Sequence, residues 1–133
     1  MYKRQGLIDA NVDGETLIID AGFSFFTNNG TLRASNGGIL ELRDAGGFDF
    51  DNVGGTIEAL NDSEVLLTAN ARIEGGVLET DGSGQFRVAA NQNVFLEDLT
   101  LNGPLVAEDG SDTQISDTIN NTCLLYTSPS PRD

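Results

Sequence analysis

Apolar and polar residues alternate along this chain in short bursts, and glycine, asparagine, aspartate or serine ends each burst within a few residues. A spacing of two recurs in Thr56-Ile57-Glu58-Ala59, Leu40-Glu41-Leu42, Phe48-Asp49-Phe50-Asp51 and Gln85-Phe86-Arg87-Val88. Successive strand side chains point to opposite faces, so this spacing predicts strands with one buried and one wet face. No segment has the 3.6-residue spacing of a helix. Ile57 is thereby expected to face the interior, and Glu58 to face water.

The bursts also repeat as a set. Residues 54–68 (GGTIEALNDSEVLLT) give the order glycine, strand, polar corner, strand, and the same order returns in 29–42, 75–88, 102–115 and, more loosely, 6–18. Gly6, Gly30, Gly55, Gly76 and Gly103 mark the starts, at spacings of 24, 25, 21 and 27 residues. Polar corners fall at 11–14, 35–38, 61–63, 81–84 and 108–112, where Asn, Asp and Gly tolerate the backbone angles of a sharp turn. A third, less regular strand follows in each repeat, as at 48–50 or 95–101.

Three short strands cannot close a core alone, but stacked repeats can. Parallel pairing of equivalent strands at ~4.8 Å gives an all-β fold, a parallel β-helix of about five coils of 21–27 residues. Right-handed winding is expected from the handedness of parallel crossovers. One interior column would hold Ile8, Leu32, Ile57, Leu78 and Leu105. A second would hold Leu17, Leu40 or Leu42, Leu66, Phe86 and Ile115. The competing arrangement, an antiparallel sandwich or barrel, predicts no alignment of like residues at this period.

Neither end continues the pattern. Residues 123–133 (CLLYTSPSPRD) resemble a translated transposon-end sequencing adapter, and residues 1–5 (MYKRQ) resemble the opposite strand of the same adapter. The resemblance implies an adapter-derived segment at 1–5, a native β-helix fragment at 6–122, and a disordered adapter-derived tail at 123–133. It also implies a longer parent reading frame from environmental DNA.

Setting the ends aside sharpens the composition. Of the seven basic residues only Arg33, Arg43, Arg72 and Arg87 remain, against 20 of the 21 acids, a net charge of −16. Such a surface repels nucleic acid and anionic lipid, whose binding rests on Lys and Arg. Cys123 lies in the tail, so the repeats contain no thiol and no histidine, which removes disulfide and zinc chemistry. Apolar runs are far shorter than the ~18 residues a membrane span needs.

Some parallel β-helices cleave polysaccharides, which makes clustered acids the first chemistry to consider. Asp44, Asp49 and Asp51 lie close together, Asp49 and Asp51 on one strand face, near the roughly 5–9.5 Å that separates paired glycosidase carboxyls. Acids on the wet face of so acidic a protein are expected instead to be solvated surface. Asp81-Gly82-Ser83-Gly84 and Glu108-Asp109-Gly110-Ser111-Asp112, assigned to one corner of adjacent coils, offer oxygen ligands for calcium. Asn36, Asn61, Asp81 and Asp109 are expected to cap turns rather than hold metal. Phe23 and Phe25 point one way and Phe26 the other, as core filling rather than a sugar platform. Asn61-Asp62-Ser63 and Asn120-Asn121-Thr122 match the common glycosylation pattern. No catalytic, cofactor or metal residue is assigned.

The strings NNGTLRASNGGILEL, GGTIEALNDSEVLL and LNGPLVAEDG resemble the β-helix repeats of large bacterial surface and secreted proteins of the filamentous-haemagglutinin and autotransporter-passenger type. That resemblance implies a structural or adhesive shaft segment, extracellular or at the cell surface, without enzyme activity of its own. A host or matrix surface ligand would be its partner, and the isolated segment would associate end to end. The alternative is a slice of a carbohydrate-active β-helix, a polysaccharide lyase or hydrolase, whose catalytic coils lie elsewhere.

Overall fold

The computed structural model describes residues 2–4, 6–20, 26–44, 50–116, 120–121 and 125–127. Their strands are β1 Tyr2–Arg4, β2 Leu7–Ala10, β3 Thr16–Asp20, β4 Phe26–Asn28, β5 Thr31–Ala34 and β6 Ile39–Arg43. They continue with β7 Phe50–Asp51, β8 Thr56–Ala59, β9 Glu64–Thr68, β10 Arg72–Glu74, β11 Val77–Thr80 and β12 Gln85–Val88. The last six are β13 Asn93–Glu97, β14 Thr100–Asn102, β15 Leu105–Ala107, β16 Asp112–Ser116, β17 Asn120–Asn121 and β18 Leu125–Thr127. No helix occurs among the described residues.

Every third strand pairs with the last, so the chain forms three parallel sheets of six strands each. Sheet A runs β1-β4-β7-β10-β13-β16, sheet B β2-β5-β8-β11-β14-β17 and sheet C β3-β6-β9-β12-β15-β18. Sequential strands never pair, which rules out the hairpins of a sandwich. The expected β-solenoid is therefore the architecture of the chain.

The core is a set of stacked columns. Sheet B contributes Ile8, Leu32, Ile57, Leu78 and Leu101. Sheet C contributes Leu17, Leu40, Val65, Phe86 and Leu105, with Ile19, Leu42, Leu67, Val88 and Ala107 two residues on. Sheet A contributes Phe26, Phe50, Ile73, Leu96 and Ile115. Phe26, partly buried, packs its ring 5.7 Å from that of Phe50, in keeping with core filling. Phe23 and Phe25 lie outside the described residues.

Three expected column members move. Leu105 belongs to sheet C, Ile115 to sheet A, and Leu66 to the outer face, since Val65 and Leu67 are the buried neighbours. The first two errors share one cause. Thr100–Asn102, expected as the end of a single strand over 95–101, is the sheet B strand, and its corner to β15 is only Gly103-Pro104. Gly103 is therefore no repeat start. Leu99, 3% exposed, holds that place, and the β11 to β14 step is 23 residues, as in Val77 with Thr100.

The starting glycines are required where successive coils touch. A Cβ on Gly30 would lie 2.1 Å from the Gly6 carbonyl oxygen, and one on Gly55 2.3 Å from that of Asn28. Both distances are far inside van der Waals contact. At the same corner two buried asparagines are hydrogen-bonded through both the nitrogen and the oxygen of their amides. Asn28 Nδ2 donates to Asn52 Oδ1 at 2.9 Å, Asn28 Oδ1 accepts from Gly30 N at 3.1 Å, and Asn52 Nδ2 donates to the Gly75 carbonyl at 3.1 Å. Paired in this way, the amides avoid the penalty of buried unsatisfied groups.

Part of the tail expected to be disordered carries a strand: Leu125–Thr127 extends sheet C by pairing with Leu105–Ala107. At the other end Tyr2–Arg4 pairs with Phe26–Asn28. The edge of a parallel sheet presents free N–H and C=O groups to any extended segment within reach, whatever its origin.

The observed register gives a direct test on β9. Val65→Asp should cost about 3–5 kcal/mol, the penalty of an uncompensated buried charge, whereas Leu66→Asp should cost about 1 kcal/mol or less, as surface changes do. Urea denaturation of both variants measures the difference. Equal losses would place the strand in the wrong register.

Candidate functional site

Of the three acids first considered for catalysis, Asp44 and Asp51 lie among the described residues, at different elements. Asp44 follows β6 and is buried, 3% exposed, with its backbone N–H donating to the Ala69 carbonyl at 3.3 Å. Asp51 is on β7, and its Oδ1 accepts from the Val53 N–H at 3.2 Å, which closes the turn toward β8. Asp49 lies outside the described residues. Register places Asp51 beside Glu74, and Glu74 beside Glu97, so the outer face of sheet A carries three acids in successive coils. Arg72 answers them from the same face. It is ion-paired with Glu97, and its guanidinium lies 4.6 Å from the centre of the Phe95 ring.

The two Asp-rich stretches occupy different corners. Asp81-Gly82-Ser83-Gly84 joins β11 to β12, between sheets B and C, whereas 108–111 joins β15 to β16, between sheets C and A. The shift follows from the short Gly103-Pro104 corner. At the B to C corner an open polar cleft of about 350 Å³ is lined by Asp13, Asn36, Gly37, Asn61 and Asp62. Turn capping consumes much of its polarity. Asn36 Nδ2 donates to the Asn11 carbonyl at 3.1 Å, and Asn61 Oδ1 accepts from the Ser83 N–H at 2.9 Å. The Ser83 hydroxyl lies 2.9 Å from Asn61 Oδ1 and accepts from the Asp62 N–H at 2.9 Å. Asn36 and Asp62 take positive φ values of 54° and 65°, which asparagine and aspartate tolerate best after glycine. At the C to A corner Asp109 acts through its backbone, its carbonyl accepting from the Asn91 N–H at 3.2 Å. Among the described residues no group of three or more His, Cys, Asp or Glu could hold a metal ion.

What the sequence reading missed is a set of charge columns on the outer faces of sheets B and C. Asp9, Arg33, Glu58 and Glu79 are register neighbours in successive coils. Arg33 Nε lies 2.5 Å from Glu58 Oε2 and its Nη1 lies 4.0 Å from Asp9 Oδ2. Glu58 is therefore 9% exposed and not the water-facing residue expected. It points outward, but in a stack each outer side chain has neighbours ~4.8 Å away above and below, and these cover it. On sheet C, Arg87 pairs with Glu64 and lies 3.8 Å from Glu108, while Glu41 accepts from Arg43 Nη2 at 2.7 Å and Thr68 Oγ1 at 3.0 Å. Apart from Glu41 and Arg43, which lie two residues apart on β6, the partners sit roughly one repeat apart, as with Arg33 and Glu58. Opposite charges one period apart are thus the signal that could have found them.

One position in these columns is electrostatically frustrated. Glu79 follows Glu58 with no cation between them. Loss of hydration, the negative charge of Glu58 and a hydrogen bond to Glu58 all raise its pKa above 4.5. The two carboxyl groups are hydrogen-bonded to each other, which is closer than the roughly 5–9.5 Å of an acid and base that flank a glycosidic bond. The pair can share a proton; in the same column Arg33 lies on the far side of Glu58, and Asn102 follows Glu79.

No protein-family model, curated protein or solved structure matches this chain.

A raised pKa means that the folded state holds the proton more tightly than the unfolded state. The stabilising contribution is therefore full below the unfolded value near 4.5 and is lost as pH rises through the folded value. Glu79→Gln should accordingly stabilise the protein at pH 7, with the gain shrinking as pH falls through that window and gone below about 4.5. Denaturation midpoints of the parent and variant across pH 3–7, about the range in which carboxylates titrate, check the sign. A gain that grows on acidification would contradict the placement of Glu79 beside Glu58.

Proposed function

We propose that this chain is a non-catalytic shaft segment of a large secreted or cell-surface β-solenoid protein of the filamentous-haemagglutinin or autotransporter-passenger kind, with adhesion to a host or matrix surface as the function of the whole. The observation that supports this reading most is the axial continuity of the cohesion. Hydrogen bonds in all three sheets run from coil to coil along the solenoid axis. The ion pairs run the same way: Arg33 ties coils on both sides through Asp9 and Glu58, and Arg87 does so through Glu64 and Glu108. The arginine ends are 32–34% exposed, so solvent screens these part-buried pairs, and they add register more than strength. Such a body suits holding distance and displaying what lies beyond it. The acidic surface, with a net charge of −14 for the whole chain, keeps it clear of nucleic acid and anionic lipid. No helix among the described residues is long and apolar enough to cross a membrane.

Incubation with a panel of acidic and neutral polysaccharides, with calcium present, tests the reading by release of reducing ends or unsaturated sugars. The expected result is no release from any of them. Calcium-supported turnover that disappears in Asp51→Asn would overturn the shaft reading in favour of a carbohydrate-active solenoid.

A further inference from the structure

The inner columns change character only at the two ends. On sheet C, Leu40 and Val65 are fully buried, whereas Leu17, in the same column one coil before Leu40, is 40% exposed. On sheet A, Leu96 is fully buried, whereas Ile115, one coil after it, is 46% exposed. All are aliphatic, and Leu17 and Ile115 stand on the first and last described strands of their sheets. An open hollow of about 210 Å³ lies beside Leu17, lined also by Ala10, Val12 and Thr16.

The backbone repeats the pattern. β1, β2 and β3 are the first strands of their sheets, and β16, β17 and β18 the last, so among the described residues each end of the solenoid presents one edge of all three sheets with no further strand on it. The chain runs A, B, C throughout, starting on sheet A and ending on sheet C. The final face is therefore followed, in the same cyclic order, by a face like the first.

We infer that the two end faces are complementary docking surfaces, and that a second copy of this chain stacks its β1, β2 and β3 onto the β16, β17 and β18 of the copy before it. The contact continues the coil-to-coil interface already present inside each molecule. Ile115 comes to the register position next to Tyr2 of the following copy, because both belong to the column that runs from Tyr2 through Phe26, Phe50, Ile73 and Leu96. The contact joins different surfaces, so it does not close on itself and propagates as a filament. Unpaired parallel edges with apolar columns behind them are the standard setting for such growth. Like charge opposes it, since each copy carries −14. In a longer protein the same two faces are where flanking coils would sit. The inference rests on the strand edges and holds whether or not the chain is a shaft segment.

Sedimentation velocity of the full chain over a concentration series, with a reductant so that Cys123 cannot cross-link, tests it. At about 0.01 M NaCl, where the screening length is roughly 30 Å, repulsion should keep the chain small; at about 0.5 M, where it is roughly 4 Å, a ladder of sizes should appear and grow with concentration. Leu17→Lys alters only the first face and Ile115→Lys only the last. Each variant alone should stay monomeric, although lysine lowers the net negative charge and would favour any non-specific association. Mixed, they should form a one-to-one dimer and nothing larger, since each supplies the face the other has lost. That recovery also shows both variants to be folded. A parent chain that stays monomeric at high salt, either variant associating alone, or a mixture that fails to dimerise would each overturn the proposal.

Discussion

Every backbone N–H and C=O within these strands has to find its partner in the coil above or below, because the strands on either side in sequence belong to other sheets. This one constraint sets the rest of the structure. A coil of 20-odd residues has too little apolar area to fold alone, and it has no internal ladder to compensate. It exists only as part of a stack. The stack in turn demands like residues in columns, tight glycines where coils meet at Gly30 and Gly55, and side-chain amides at Asn28 and Asn52 that repeat the coil spacing.

The same stacking reshapes the electrostatics. An outward residue on an ordinary one-sided sheet faces water, but here it faces its counterparts in adjacent coils. Glu41 and Glu58 are each 9% exposed although both point away from the core, and each is answered by an arginine. Where the column places two acids together, as at Glu58 and Glu79, the cost appears as a raised pKa. Arg33, Arg72 and Arg87 tie adjacent coils in this way, and Arg43 pairs with Glu41 on its own strand. Their function is therefore within the stack. This agrees with the proposed shaft role.

The fold class and the sheet B register of the first four repeats were legible in the residues, because glycine, alternation and polar corner coincide there. Ile8, Leu32, Ile57 and Leu78 fall in one column as the pattern requires. The last repeat was misread for a local reason. Its starting glycine is replaced by Leu99 and its corner is shortened to Gly103-Pro104, while the Asp109-Gly110 turn imitates the corner that is missing. Leu66 was misplaced because Val65, Leu66 and Leu67 are all apolar, and alternation cannot choose among them. The charge columns were hidden by distance in sequence. Arg33 and Glu58 become neighbours only once a period of 25 residues is imposed, as their register shows. The acidic corners looked like one site only while the last repeat was shifted by a strand.

Backbone NOEs in an isotope-labelled sample test the stacked register most directly. Parallel-pattern contacts should link Leu78 to Ile57 on one side and to Leu101 on the other, as in the sheet B ladder. Antiparallel contacts between strands adjacent in sequence, such as Thr56–Ala59 with Glu64–Thr68, would contradict the solenoid and everything built on it.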